Sequence, residues 1–164
     1  MKKLTVQILI VAMVVGMVCF ALLQVVQAEP VATVGAVTCT QFPANRSDVV
    51  LRYTLDWTSD TSTSGTVTAS VYQINGTIER IVYNPDGGAT LPTDSYDVTL
   101  KDIDGIDVLN GTGANLSQST VASTISTEGD GTTNIPMATQ GTLALSVTNA
   151  GSAKGGIIRI YVRP

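Results

Sequence analysis

No histidine occurs anywhere in the 164 residues. Its absence removes the side chain best suited to proton transfer near neutral pH, and the commonest ligand for zinc and copper. Ser-His-Asp and Cys-His arrangements are therefore excluded outright. Cysteine is nearly as scarce. Cys19 lies in an apolar leader, which leaves Cys39 alone in the rest of the chain. One thiol cannot close an intrachain disulfide. Cys39 stands in an alternating stretch, Val31 to Thr40, and reads as a small buried hydrophobe rather than an intermolecular bridge. Basic residues are few and spread out: beyond the leader they are Arg46, Arg52, Arg80, Lys101, Lys154, Arg159 and Arg163. Without Lys2 and Lys3 the net charge moves from −4 to −6. A nucleic-acid surface needs its cations on one face, and this pattern predicts none. The acidity reads as a contribution to solubility.

What the chain does have begins with its leader. Lys2 and Lys3 precede an apolar run from Ile8 to Leu23, and Val26-Gln27-Ala28 offers a small-residue exit. That is the three-part layout of a secretory signal peptide. The run is sixteen residues long, short of the roughly 20 that span a bilayer core. Cleavage after Ala28 is expected, with retention as an uncleaved anchor the alternative. Gly16-Met17-Val18 lacks the small residue expected directly before a lipidated cysteine at Cys19. The organisation predicted is a signal peptide, 1–28, followed by a single β-sandwich domain, 29–164. The destination is periplasmic, extracellular or the cell surface.

The 136 residues from Glu29 to Pro164 suffice for one domain with one core. They are rich in Thr, Val and Ile, which suit a pleated, half-buried surface. Val49, Leu51, Tyr53, Leu55 and Trp57 alternate with polar residues. So do Tyr96, Val98 and Leu100, then Leu143, Leu145 and Val147, then Ile158, Ile160 and Val162. A period of two with one apolar face predicts antiparallel sheets over a shared core. No helical period competes beyond the leader. Roughly seven to nine strands are expected, in an antiparallel sandwich of Ig-like or jelly-roll connectivity. Two Ile-(Asn/Asp)-Gly sites predict three-residue hairpin loops. Ile74-Asn75-Gly76 would place Ala69 opposite Ile81 and Val67 opposite Tyr83. Ile103-Asp104-Gly105 would pair Lys101 with Asp107 and Leu100 with Val108. Ser117 to Gln140 reads as an excursion with at most one short strand, near Val121 to Ile125.

Candidate sites are weak. Asp102, Asp104 and Asp107 gather three carboxylates, but their spacing fails the twelve-residue calcium loop, and an Asp/Gly-rich turn explains them. Four Asn-x-Ser/Thr triplets, at Asn45, Asn75, Asn110 and Asn115, arise readily in a chain this rich in Ser and Thr. Trp57, Tyr53 and Tyr96 fall on the inward phase of their strands and read as core. Tyr72 and Tyr161 are the better candidates for exposed aromatics. No catalytic residue, cofactor or metal site is predicted.

These segments taken together resemble a group of small β-rich proteins encoded in tailed-phage and phage-like genomes. The stretches that carry the resemblance are Asp56-Trp57-Thr58-Ser59-Asp60, Gly76 to Val82 with Pro85-Asp86-Gly87, and Pro92 to Leu100. Asp104 to Leu109, Asn115-Leu116-Ser117 and a closing hairpin from Val147 to Gly156 complete them, in order over most of residues 48–163. The resemblance implies a virion component, such as a decoration, cement or fibre-associated sandwich, with no catalytic role. The leader departs from that pattern, since the phage-like proteins usually start at the first strand. A cellular surface protein sharing the domain is the corresponding alternative.

The expectation is thus a non-enzymatic structural or interaction domain, virion-like or surface-displayed, partnered by copies of itself or a repeating protein surface. A secreted carbohydrate-binding or adhesin-type sandwich is the alternative. Nucleic acid is not an expected partner, and a membrane only through a retained leader. The terminal strand, Gly156 to Val162, would offer a pairing surface if it lay at a sheet edge.

Overall fold

The computed structural model describes residues 31–42, 50–125, 127–128 and 135–164; the leader, Asn45, Arg46, Val49 and the side chains of Tyr72 and Gln73 lie outside the described residues. The chain is all-β. In order come β1 (Val31–Val34), β2 (Ala36–Phe42), β3 (Leu51–Thr58), β4 (Val67–Gln73), β5 (Gly76–Pro85) and β6 (Asp97–Lys101). Four short strands follow: β7 (Ala122–Thr124), β8 (Thr127–Glu128), β9 (Ile135–Pro136) and β10 (Ala138–Thr139). The last two are β11 (Thr142–Thr148) and β12 (Gly155–Arg163). Eight of these have four residues or more, within the number expected. The excursion before β11 holds the one strand anticipated near Val121 and three two-residue strands besides.

Two antiparallel sheets face each other. The smaller has the order β1-β4-β11-β6; the larger runs β10-β5-β12-β3-β2, with β7 also paired to β5. β8 and β9 pair apart from both. The inward phases read from the sequence hold: Leu51, Tyr53, Leu55 and Trp57 are buried, as are Val98 and Leu100, Leu143 to Val147 on alternate positions, and Ile158, Ile160 and Val162. They form one core, with Cys39 among them on β2. A period of two is enough to sort these residues because a strand turns successive side chains to opposite faces.

Connectivity differs from the local reading at two places. β4 and β5 are not a hairpin. β4 pairs with β1 and β11 in the smaller sheet, and β5 with β12 in the larger, so Ala69 and Val67 do not face Ile81 and Tyr83. Ile74-Asn75-Gly76 is instead a corner between the sheets. Ile74 is wholly buried there, and the Asn75 carboxamide oxygen accepts from the Gly141 amide at 2.9 Å. A β-carbon on Gly76 would come within 2.2 Å of the Arg163 carbonyl oxygen, so only glycine passes the end of β12 this closely. The stretch from Val147 to Gly156 is likewise a crossing, since β11 and β12 belong to different sheets.

The second Ile-Asp-Gly site is the hairpin expected. Lys101 pairs with Asp107, and the Val108 amide donates to the Leu100 carbonyl at 2.8 Å. The two look-alike triplets part on one property: Ile74 is 0% exposed and Ile103 is 86% exposed. A buried isoleucine pulls the turn into the core, whereas an exposed one lets it project into water.

β12 is not at an edge. It lies between β5 and β3 and pairs with both along its length. Pairing of β12 with another chain is therefore closed off, because its backbone donors and acceptors are already used. The outer edge of β6 is covered too, by the segment from Asp107 to Leu116, through the Val98 amide to Gly113 at 2.7 Å and the Leu116 amide to Tyr96 at 2.8 Å.

Candidate functional site

Because β12 is central, its outward residues stand in the middle of the larger sheet's exposed face. Arg159, Tyr161 and Arg163 alternate there with the buried Ile158, Ile160 and Val162. On β3 the residues outward of the core are Arg52, Thr54, Asp56 and Thr58. On β5 a bulge decides the outcome. Ile78 faces Val162 and Arg80 faces Tyr161, so Glu79 is the extra residue. The bulge lets Ile78 and Ile81 both enter the core while Arg80 swings outward.

Register then assembles a row that no local pattern contains. Phe42 pairs with Arg52, Arg52 with Tyr161, and Tyr161 with Arg80, across β2, β3, β12 and β5. Cation and aromatic alternate along it. The Arg80 guanidinium lies over the Tyr161 ring at 4.2 Å from its centroid, and that of Arg52 over Phe42 at 5.4 Å. Such contacts contribute about 0.5–1 kcal/mol at exposed sites. The neighbouring row runs Thr40, Thr54, Arg159, Val82 and Ser123. Arg163 closes the face at one end, its Nε 3.2 Å from the Glu79 carboxylate.

Four of the six cations among the described residues thus share one face, against three acids, Asp56, Glu79 and Asp86, the last with its carboxylate over Gly155 at the end opposite Arg163. The separation of Arg52, Arg80, Arg159 and Arg163 along the chain gave no hint of this. Four strands supply the face, and strand pairing is a tertiary property.

The aromatics sort largely as expected. Trp57, Tyr53 and Tyr96 are core, and the rings of Trp57 and Tyr96 meet with centroids 5.8 Å apart. Tyr83 is buried as well; burial pushes its phenol up to about 12, against a hydrogen bond with Thr112 at 3.3 Å that works the other way. Burial pushes Tyr96 up to about 12 too. Tyr161 reaches the surface but is half-buried, with one face taken by Arg80. Phe42, 65% exposed, was not singled out by periodicity.

The acidic turn is a local structural device. The Asp102 carboxylate accepts from the Asp104 amide at 3.0 Å and the Ile106 amide at 2.9 Å. Asp107 accepts from the amides of Leu100, Leu109 and Gly111 at 3.0, 3.2 and 3.1 Å. Hydrogen bonds of this kind hold turns in place and leave the carboxylates turned to the backbone. Asn110 and Asn115 sit at positive φ, 48° and 52°, as turn residues.

No protein-family model matches the chain, and no curated protein matches it. Among solved structures, the chain is similar to that of TmCBM61 in complex with beta-1,4-galactotriose, at 14% identity over 84% of this chain and 86% of that one, with a TM-score of 0.28. A likeness that slight carries nothing about a ligand.

Proposed function

We propose that this chain is an exported, non-enzymatic binding domain that docks on its partner through the outer face of the larger sheet. One observation carries the proposal: the convergence of Arg52, Arg80, Arg159 and Arg163 with Tyr161 and Phe42 on a face that stays net positive beside its three acids, Asp56, Glu79 and Asp86, in a protein of net charge −4. Concentrating like charge on one face opposes the solubility logic of an otherwise acidic domain, and an anionic partner offsets it. The lack of histidine and the engagement of the Asp102 and Asp107 carboxylates with backbone amides support a binding role over catalysis. The leader supports export.

The resemblance over residues 48–163 favours a second reading, a virion-type decoration or surface-displayed module on a repeating protein surface. The same face would serve it, since β12 offers no edge for strand addition.

The test compares the chain with an Arg80→Glu/Arg159→Glu variant on immobilised acidic and neutral polymers and in a light-scattering dilution series. Binding or self-association that the variant loses, at unchanged thermal stability, supports the proposal. A chain that binds nothing and stays monomeric, or a variant that behaves as the parent does, overturns it.

A further inference from the structure

We infer that the partner is a linear acidic polysaccharide, its sugar carboxylates held by guanidinium groups that the aromatic rings of the face pre-orient. The inference rests on the binding face proposed above and names what that face takes.

The chemistry starts with Arg80 and Tyr161. A guanidinium stacked on a ring keeps its N–H edge free, and that planar fork matches a carboxylate in a bidentate pair. Stacking at 4.2 Å also holds the side chain in place before any ligand arrives. Less rotamer freedom is then lost on binding, which is how pre-orientation raises affinity. Arg52 on Phe42 repeats the arrangement in the same row.

The spacing suits a polymer. Arg52 and Arg80 are separated by β12, two strand spacings or about 10 Å, the order of length of a disaccharide unit. A chain laid across the strands would meet successive guanidinium groups with its successive carboxylates. The adjoining row places Thr40, Thr54 and Ser123 beside Arg159, and their hydroxyls suit sugar hydroxyls.

Other anions fit less well. Single-stranded nucleic acid binds by stacking bases on open aromatic faces, and here the guanidinium groups of Arg52 and Arg80 lie over Phe42 and Tyr161. A neutral sugar would want the same open platform. Asp56, Glu79 and Asp86 leave the four arginines of this face only one net positive charge, which suits widely spaced carboxylates better than the dense charge of a phosphate backbone.

Titration with polygalacturonate tests the inference, with carboxyl-reduced polygalacturonate, dextran and a single-stranded thymidine oligonucleotide in parallel. Polygalacturonate should bind, more weakly as salt rises. Arg80→Gln should weaken it about tenfold, the loss of a charge-assisted pair, and Tyr161→Leu up to about tenfold, the loss of pre-orientation. Lys154→Gln should not, since the Lys154 ammonium donates to the Ala89 carbonyl instead. Equal binding of dextran or the reduced polymer would overturn the acidic ligand while leaving the binding face intact. Tighter binding of the oligonucleotide would do the same in favour of nucleic acid. Binding of polygalacturonate that neither variant weakens would overturn the inference and place the site elsewhere. If no probe binds, the inference falls, and the binding face falls with it unless the dilution series shows self-association that Arg80→Glu/Arg159→Glu abolishes.

Discussion

The indole of Trp57 fills the space in which a side chain at residue 156 would stand. The two residues face each other across β3 and β12, and a β-carbon on Gly156 would lie 2.9 Å from Cζ2 of the ring. Trp57 is 1% exposed and reaches Tyr96 on the other side of the core. Neither ring has room to retreat.

Gly156→Ala is therefore an overpacking change. It should destabilise the fold by about 1–3 kcal/mol. Denaturant unfolding followed by fluorescence of Trp57, the chain's one tryptophan, measures it. An unchanged midpoint would mean that the ring is less confined than its packing indicates.

The two Ile-(Asn/Asp)-Gly sites should respond in opposite ways. Ile74→Ala removes a fully buried side chain at the corner between the sheets, and should cost about 2–5 kcal/mol. Ile103→Ala, at an 86% exposed hairpin tip, should stay within about 0.5 kcal/mol. Equal effects in thermal unfolding would contradict the assignment of one as a corner and the other as a hairpin.

Asp107 and Asp104 should separate in the same manner. Asp107→Ala leaves three backbone amides without their acceptor, a loss of about 1–2 kcal/mol for partly exposed donors. Asp104→Ala should change stability little, because the turn uses its amide rather than its carboxylate. Calcium should not alter either result. A stabilisation by calcium that Asp104→Ala abolishes would show that the turn binds the ion.

At alkaline pH the fold should weaken through Tyr83 and Tyr96. Both phenols are pushed from 10 to about 12, chiefly by burial. The folded state then holds these protons where the unfolded chain has released them. Their contribution is complete below about pH 10 and is lost as pH rises through about 12. Stability measured across that range should fall, and tyrosinate absorbance should show part of the tyrosine titrating late. Tyr83→Phe and Tyr96→Phe together should flatten the fall.

Residue order alone determined the fold class and the inward faces. Strand periodicity is a local property, set by the alternation of Cβ directions, so Leu51 to Trp57 and Ile158 to Val162 declared their buried sides without any partner in view. The hairpin at Ile103 was legible for the same reason, since a tight turn is decided by its own few residues. Which strands are neighbours was not. Among the long strands β2 pairs with its successor β3, and β6 with β11 beyond the excursion; the other connections run between sheets. A corner and a hairpin share the same turn grammar, and the burial of Ile74 that separates them depends on the opposite sheet. The arginine and aromatic face was decided at that level too. Arg52, Arg80 and Arg159 lie far apart in the chain, and they become neighbours only when β12 inserts between β3 and β5 and a bulge at Glu79 turns Arg80 toward Tyr161.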